Sequence, residues 1–584
     1  MPARISEIAN DVETIVGLKL IDAGVIAGYF ALVMGIGFWA STKVHNDEDF
    51  FLGGRRFGKG LLVMHWLCTG THSEQAVQVA GACARVGLGG IWYQWMYLFS
   101  TPFYWLIGPM VRRLRVITTG EVFRIRYGWQ LELVYSLVAL VYIVLSIAML
   151  LRGAGAAIAG ATGSAVLTNH WVIALSVLFS TYVMVGGLMA AAYTDFLQGV
   201  MLIVLSVLLV PAGLNVIGGM AELQSRLPEG FMSVVAPAGA KEGHPLFVVA
   251  MSILGLAGIV AQPHVMTSTG SGKTELEARV GMCYGNFIKR FLTIAWAFTG
   301  LIALVLFPKV VDVPAEQLKE ASETLFGQAI QHLLGDGWRG LMIACIIAGV
   351  TSAETIMVVG SGVFTRNFYA HVVPEAGDRQ RMWVGRIAAA GILVASIAAA
   401  LAAGNINDLL KASIRVVGLM GPLFWLGVTW RRANPAGAWC SLLTGGGLWY
   451  VQVLNLLPDY GESVIILLSL AAQFAVLILV SLLTPRQPDA LLDPFFARLH
   501  IPVGREAECE MAAAPAAFQE EALLGLHGQA LDYEKASRYA YQGLQKYGIE
   551  IPRMKLIDWG GFLAAWATVG VLIALLVYLA SLGK

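Results

Sequence analysis

The chain has 584 residues, of which 57% are hydrophobic and 13% charged, with a formal net charge of +1. Soluble domains carry about a quarter charged residues, and the deficit here runs along most of the length in apolar stretches of about 20 residues. That excludes an ordinary soluble enzyme, a disordered chain and a disulfide scaffold, and the balanced charge leaves no footprint for nucleic acid. Six cysteines (Cys68, Cys83, Cys283, Cys345, Cys440, Cys509) lack any CxxC spacing, so neither a zinc site nor a disulfide framework is indicated. The composition is that of an all-α polytopic protein embedded in a lipid bilayer.

Residues 1–20 carry Glu7, Asp11 and Glu13, the wrong character for the basic start of a cleavable signal. Apolar length then predicts spans near 21–41, 60–84, 90–111, 131–155, 168–187, 193–217, 246–267 and 282–307. Further spans are expected near 338–363, 383–403, 406–430, 436–457, 462–484 and 557–581, about fourteen in all. Lys and Arg favour one set of short loops by about two to one. These hold Lys43, Arg55, Arg56, Lys59, Arg112, Arg113, Arg115, Arg124 and Arg126, then Lys273, Arg279, Lys289 and Arg290, then Arg366, Arg379, Arg381, Arg386, Arg431 and Arg432. The rule puts them inside and the N-terminus outside. Residues 485–556 then lie in the cytoplasm, with an Ala/Pro-rich linker at 511–517 and amphipathic spacing over 518–547. Such a segment is too short for a catalytic domain; it is expected to pack on the inner face or to dock a cytoplasmic partner.

Three spans are interrupted. The second holds the polar run Met64-His65-Trp66-Leu67-Cys68-Thr69-Gly70-Thr71-His72-Ser73-Glu74-Gln75. Unwound backbone at membrane depth is tolerated only where it is buried in protein or lines a cavity, and a cation suits the released carbonyls. The ninth holds Ala348-Gly349-Val350-Thr351-Ser352-Ala353-Glu354-Thr355, where two adjacent hydroxyls offer hard oxygen ligands to a small cation. Glu354 is costly there unless paired or wetted. A third break is expected near Gly255–Gly258 and Gln262-Pro263-His264 in the seventh span. Broken spans in corresponding places of two halves point to an inverted-repeat secondary transporter.

Four blocks carry a family resemblance: Asp49-Phe50-Phe51-Leu52-Gly53-Gly54-Arg55-Arg56; Gly186-Gly187-Leu188-Met189-Ala190-Ala191-Ala192-Tyr193-Thr194-Asp195-Phe196-Leu197-Gln198; Gln262-Pro263 with Glu277-Ala278-Arg279; and Ser352 through Thr365-Arg366-Asn367-Phe368-Tyr369. In order and spacing, roughly over 20–485, the chain resembles the sodium:solute symporter family. The resemblance implies a five-plus-five inverted-repeat core with extra helices and alternating access driven by sodium, with no organic cofactor. Its first repeat would be 59–217 and its second 245–430, separated by an outer loop at 218–244. Residues 1–58 would hold the outer N-terminus, first span and an inner loop; 431–484 would be added spans, and 557–584 the last. By motif position, sodium would be held by the carbonyls of Cys68, Thr71 and Ala348 and the hydroxyls of Thr351 and Ser352. Asp195 falls where the family keeps a carboxylate near the ion route.

Solute in this fold lies beside the ion, near the midplane. Candidates are His72, Glu74, Gln75, Gln94 and Thr355. Gln75 resembles the Gln of sugar-carrying members, and Gln94 stands where they keep a carboxylate. The aromatic gate of those members aligns with Ala257 and Gly258, a departure from the hexose pattern. Three cations, Arg152, Lys411 and Arg415, fall inside spans. They are expected either to neutralise Glu74, Glu354 or Asp408, or to clasp a solute carboxylate, with Arg152 the first suspect. Thr267-Ser268-Thr269-Gly270-Ser271-Gly272-Lys273-Thr274 looks like a phosphate loop but lacks its first Gly and its preceding strand. The function expected is sodium-coupled import of a small polar solute (sugar-like, acid sugar or carboxylate) across the cytoplasmic membrane. The alternatives are a solute sensor signalling through 485–556 or an uncoupled facilitator. No nucleophile–base pair suggests an enzyme.

Overall fold

The computed structural model describes residues 14–15, 18–43, 52–163, 168–236, 243–314, 317–351, 353–403, 405–454, 456, 461–509 and 531–583. Nearly all of it is helical; the one sheet among these residues is a small antiparallel hairpin pairing Thr14–Ile15 with Leu18–Lys19. Among the described residues, eight helices are long and apolar enough to cross a membrane, with one further bent pair. The expected count of fourteen is not reproduced, because several spans are broken or short rather than single apolar rods. The 90–111 stretch, for example, is built from short turns before the helix Tyr104–Leu114.

Burial sorts these helices into centre and rim. Of the best membrane-length stretch of Glu275–Leu306, 83% is buried inside the protein, against 22% for Leu20–Ala40 and for Leu556–Ser581. The rim helices turn Leu32, Phe38, Leu563 and Val571 outward, as a lipid-facing surface requires. The middle of the bundle is dense because small residues let backbones touch. A Cβ on Gly153 would fall 2.3 Å from the Cβ of Glu74, and one on Gly285 would fall 2.7 Å from both the Val63 carbonyl and the Trp66 Cβ.

The expected breaks in the second and seventh spans are present. Helix Lys59–Thr69 stops, Gly70–His72 is non-helical, and a new helix runs Ser73–Val86. Pro245–Ile259 and Pro263–Gly270 meet at a bend of 59°. The residue before a proline is pushed out of the α region, and Gln262 accordingly sits at φ −69°, ψ 127°. In the ninth span, helices Trp338–Thr351 and Ala353–Val363 flank Ser352, which lies outside the described residues, and a π-helical turn follows at Phe364–Tyr369. The phosphate-loop look-alike is the end of the Pro263–Gly270 helix and the tight bend after it, with Ser268, Thr269 and Ser271 fully buried.

Two expectations are corrected. The spans predicted at 168–187 and 193–217 are not separated by a loop, because helical backbone continues from Thr168 to Ile217. Fifty residues would make a straight rod of about 75 Å, more than twice the hydrocarbon thickness. Thr168 abuts Gly155, on the helix whose Gly160 meets Thr324, while Gly213 abuts Leu333. Both ends thus lie towards the same side of the bundle, and the segment turns back on itself while remaining helical. The second correction concerns the intramembrane cations. Lys411 and Arg415 both bind Glu462 at 2.7 Å, while Asp408 is taken by Lys319 at 3.3 Å. Arg152 lies 3.1 Å from Glu320 and 3.6 Å from Glu323.

Of the 485–556 segment, residues 510–530, including the linker, lie outside the described residues. Of the amphipathic helix or two expected over 518–547, residues 518–530 lie outside the described residues, and the described part holds two short helices, Tyr533–Ser537 and Gln542–Gln545. A longer helix, Asp489–His500, precedes them. The segment is packed against the transmembrane bundle through polar contacts. Arg115 binds Glu506 at 2.7 Å, and Glu275 accepts both from Arg113 and from the Val503 amide. Arg431 reaches Asp489, Asp493 and the buried Glu550.

Candidate functional site

The break in the second span creates the site. Gly70 is the C-cap of the first half-helix, and its carbonyl, released from helical bonding, accepts from Gln75 Nε2 at 2.9 Å and from the Lys289 ammonium. Lys289 and Arg290 were assigned by sequence to an inner loop; the structure puts them near the middle of Glu275–Leu306, 6% and 1% exposed. At 1.5 Å per residue they stand about 21 Å from the start of that helix. Adjacent cations inside an otherwise apolar helix were the signal to follow, since ionised groups at that depth are expensive unless they serve a site.

Around them is a cavity of about 90 Å³ whose walls bring together Glu74, Gln75, Gln94, His72, Lys289 and Arg290. Four of the six expected solute residues are therefore on one wall system. Arg152 is not; it serves the outer ion pairs described above. The side chain of Thr355, like those of Thr351 and Glu354, lies outside the described residues. Sequence reasoning missed Asn286, Gln262, His264 and the rings of Trp66, Tyr93, Tyr97, Tyr104 and Tyr142, which also line it. A chain of amides ties the wall together: Gln94 donates to Gln78 at 2.8 Å, and Gln78 to Asn407 at 2.9 Å. Gln262 donates to the Tyr97 hydroxyl at 3.2 Å. Several polar atoms remain unmatched among the described residues, namely both Glu74 oxygens, Gln75 Oε1, His264 Nδ1 and two guanidinium nitrogens of Arg290. Buried polar groups are normally satisfied, so a cavity lined by this many open donors and acceptors is built to hold a polar guest or water.

A second, smaller cavity of about 30 Å³ lies on the other side of the same break, lined by Cys68, Thr71, His72, Gln198, Cys345 and Gly349, among others. That is room for one water-sized particle. It brings the end of the first half-helix against the helix that carries Ala348 and Thr351. The Thr71 hydroxyl is buried without a partner, and the Cys68 carbonyl accepts from the Thr71 amide at 3.1 Å. The Ala348 methyl packs away from this cavity, against Tyr29 and Val33. Asp195 is fully buried beside Cys68: the Cys68 thiol donates to its carbonyl at 3.1 Å, and its Oδ2 lies 2.8 Å from His65 Nδ1. His65 is a partner the sequence pattern did not single out.

Broken helices around a buried polar cavity, inside a bundle with a lipid-facing rim, define a multi-pass membrane transporter of the inverted-repeat type. The chain matches the model of the sodium:solute symporter family over residues 50–445, and it belongs to that family. It is 24% identical over 472 residues to the sodium/myo-inositol cotransporter 2 of Oryctolagus cuniculus, covering 74% of this chain and 70% of the relative. To the sodium/glucose cotransporter of Vibrio parahaemolyticus it is 23% identical over 454 residues, covering 72% and 83%. Among solved structures, a Na+-coupled sialic acid symporter in a substrate-bound outward-open state aligns with a TM-score of 0.69 at 18% identity, covering 80% of this chain and 98% of that one. That likeness establishes the shared fold.

Proposed function

We propose that this protein is a sodium-coupled symporter that imports a small polar organic solute by alternating access. The solute would be sugar-like, an acid sugar or a carboxylate. The carrying observation is the Gly70–His72 break, which faces a polar cavity of solute character on one side and an ion-sized cavity on the other. The family's name, and those of the sugar and polyol cotransporters among its relatives, support the same reading. Sodium would be held by Cys68, Thr71, Ala348, Thr351 and Ser352, with Asp195 near its route, and the solute by His72, Glu74, Gln75 and Gln94. Lys289, at the same carbonyl, joins that set.

The setting is the cytoplasmic membrane with the N-terminus outside. Moving Lys289 and Arg290 from loop to cavity leaves the Lys/Arg excess on the same side. One sodium ion crossing about 100 mV gains roughly 2.3 kcal/mol, and a tenfold gradient adds about 1.4. One ion therefore sustains a solute gradient on the order of several hundred-fold.

The test is thermal stability of the purified protein in sodium, potassium and choline chloride at equal ionic strength, repeated on Ser352→Ala. An ion at a hundred times its dissociation constant stabilises by about 2.7 kcal/mol. The expected result is a shift in sodium alone, abolished by the substitution. Identical behaviour in all three salts would reject sodium coupling and leave the facilitator and sensor readings.

A further inference from the structure

The central cavity holds a buried guanidinium, that of Arg290, with no carboxylate paired to it among the described residues. Glu74, Lys289 and Arg290 line the cavity together. Lys289 has the Gly70 carbonyl as acceptor and Glu74 within electrostatic reach. Arg290 has neither. It is 1% exposed, it makes no ion pair among the described residues, and its Nε and Nη1 meet no acceptor. Its neighbours are aromatic: the guanidinium carbon sits 5.6 Å from the Tyr97 ring centre, and the Tyr104 hydroxyl lies beside it. A guanidinium cannot shed its charge by losing a proton in a protein, and burying it without an anion is strongly unfavourable. A bundle that keeps such a group at the wall of its solute cavity has a use for it.

We propose that Arg290 recognises an anionic solute: the transported molecule carries a carboxylate, taken by the open guanidinium donors, while its remainder lies against Gln75, Gln94 and the Tyr97 ring. This narrows the solute of the symport reading, on which it rests for the word transported. Arginine suits the task because its planar fork matches a carboxylate and stacks on aromatic faces. A neutral sugar of the same size would leave the guanidinium charge uncovered.

The experiment is thermal stability of the full-length protein in sodium methanesulfonate with matched pairs: glucuronate and glucose, lactate and propanediol, succinate and succinamide, benzoate and benzamide. At least one carboxylate is expected to stabilise where its neutral counterpart does not. Arg290→Gln should bind that carboxylate at least about thirty-fold more weakly, the lower range for truncating one partner of a buried charge pair. Arg290→Gln should keep the shift that sodium alone produces, which shows the variant folded. Loss of that sodium shift in the unmodified protein would reject sodium coupling and leave the Arg290 comparison standing. The proposal is overturned if no carboxylate exceeds its neutral partner, if Arg290→Gln binds equally well, or if chloride alone reproduces the effect. Should Arg290→Gln fail to fold, the matched pairs on the unmodified protein decide.

Discussion

Acidification is expected to release the 485–556 segment from the bundle, and His500 sets where. Its ring is fully buried, with Nε2 3.2 Å from Glu550 Oε2. Glu550 is already engaged by Arg431 at 3.2 Å and by the Tyr533 hydroxyl at 2.6 Å. Burial pushes His500 down to about 4; Glu550 pulls the other way, and Arg113 and Arg431 add to the downward push. A released His500 titrates near 6.5. The undocked segment therefore takes up a proton that the docked one refuses. Docking keeps its full stability above about pH 6.5 and loses it progressively as the pH falls towards 4. Between pH 7 and pH 5 the loss is about 2 kcal/mol, at 1.36 kcal/mol per unit. Hydrogen exchange of peptides from 489–500 and 531–556, corrected for intrinsic rate, should show protection falling by about that amount. In His500→Asn the slope between pH 7 and 5 should flatten. Equal loss in both proteins would refute the reasoning, because another group would then be driving release.

Arg431→Met should leave the Glu550 carboxylate, fully buried at its side chain, without its cation. Breaking such a pair costs about 3–5 kcal/mol, read as a lower Tm and early proteolysis within 485–556. Gly153→Ala places a methyl 2.3 Å from the Glu74 Cβ. It should cost about 1–3 kcal/mol and abolish uptake, whereas Gly391→Ala, with nothing within 4 Å, should do neither. Lys289→Met should cost less than about 1.5 kcal/mol of stability, because Gln75 still donates to the Gly70 carbonyl. Solute uptake should nevertheless collapse, since the cavity wall loses its ammonium donor at the Gly70 carbonyl.

Much of the architecture was legible because membranes make sequence unusually explicit. Apolar length gives spans, and Gly70, Thr71 and Pro263 announce breaks by chemistry that no helix interior tolerates cheaply. What escaped depended on three-dimensional neighbours. Lys289 and Arg290 fall near the inner end of the span expected at 282–307 and so count with the loop charges; the helix beginning at Glu275 carries them deep into the bundle instead. The cations at Lys411, Arg415 and Arg152 chose partners distant in sequence, Glu462, Glu320 and Glu323, which no local pattern indicates. His65 escaped for the same reason: its partner Asp195 is 130 positions away.

The same three non-helical residues serve both cavities, and this is where coupling would arise under the symport reading. Thr71 lines the ion-sized cavity, Gly70 the solute cavity, and His72 both. Three consecutive residues share too few torsions to settle independently on two sides. An ion drawing in the Thr71 carbonyl must turn the peptide that presents the Gly70 carbonyl to Lys289 and Gln75. A solute carboxylate beside Lys289 would weaken the same grip from the other side. Each ligand thus changes the geometry the other meets, and linkage makes the effect reciprocal. Sodium affinity should therefore rise with bound solute by the factor that solute affinity rises with sodium. A Gln75 substitution, which removes one of the two donors on Gly70, should reduce both factors together while leaving each ligand's binding alone measurable.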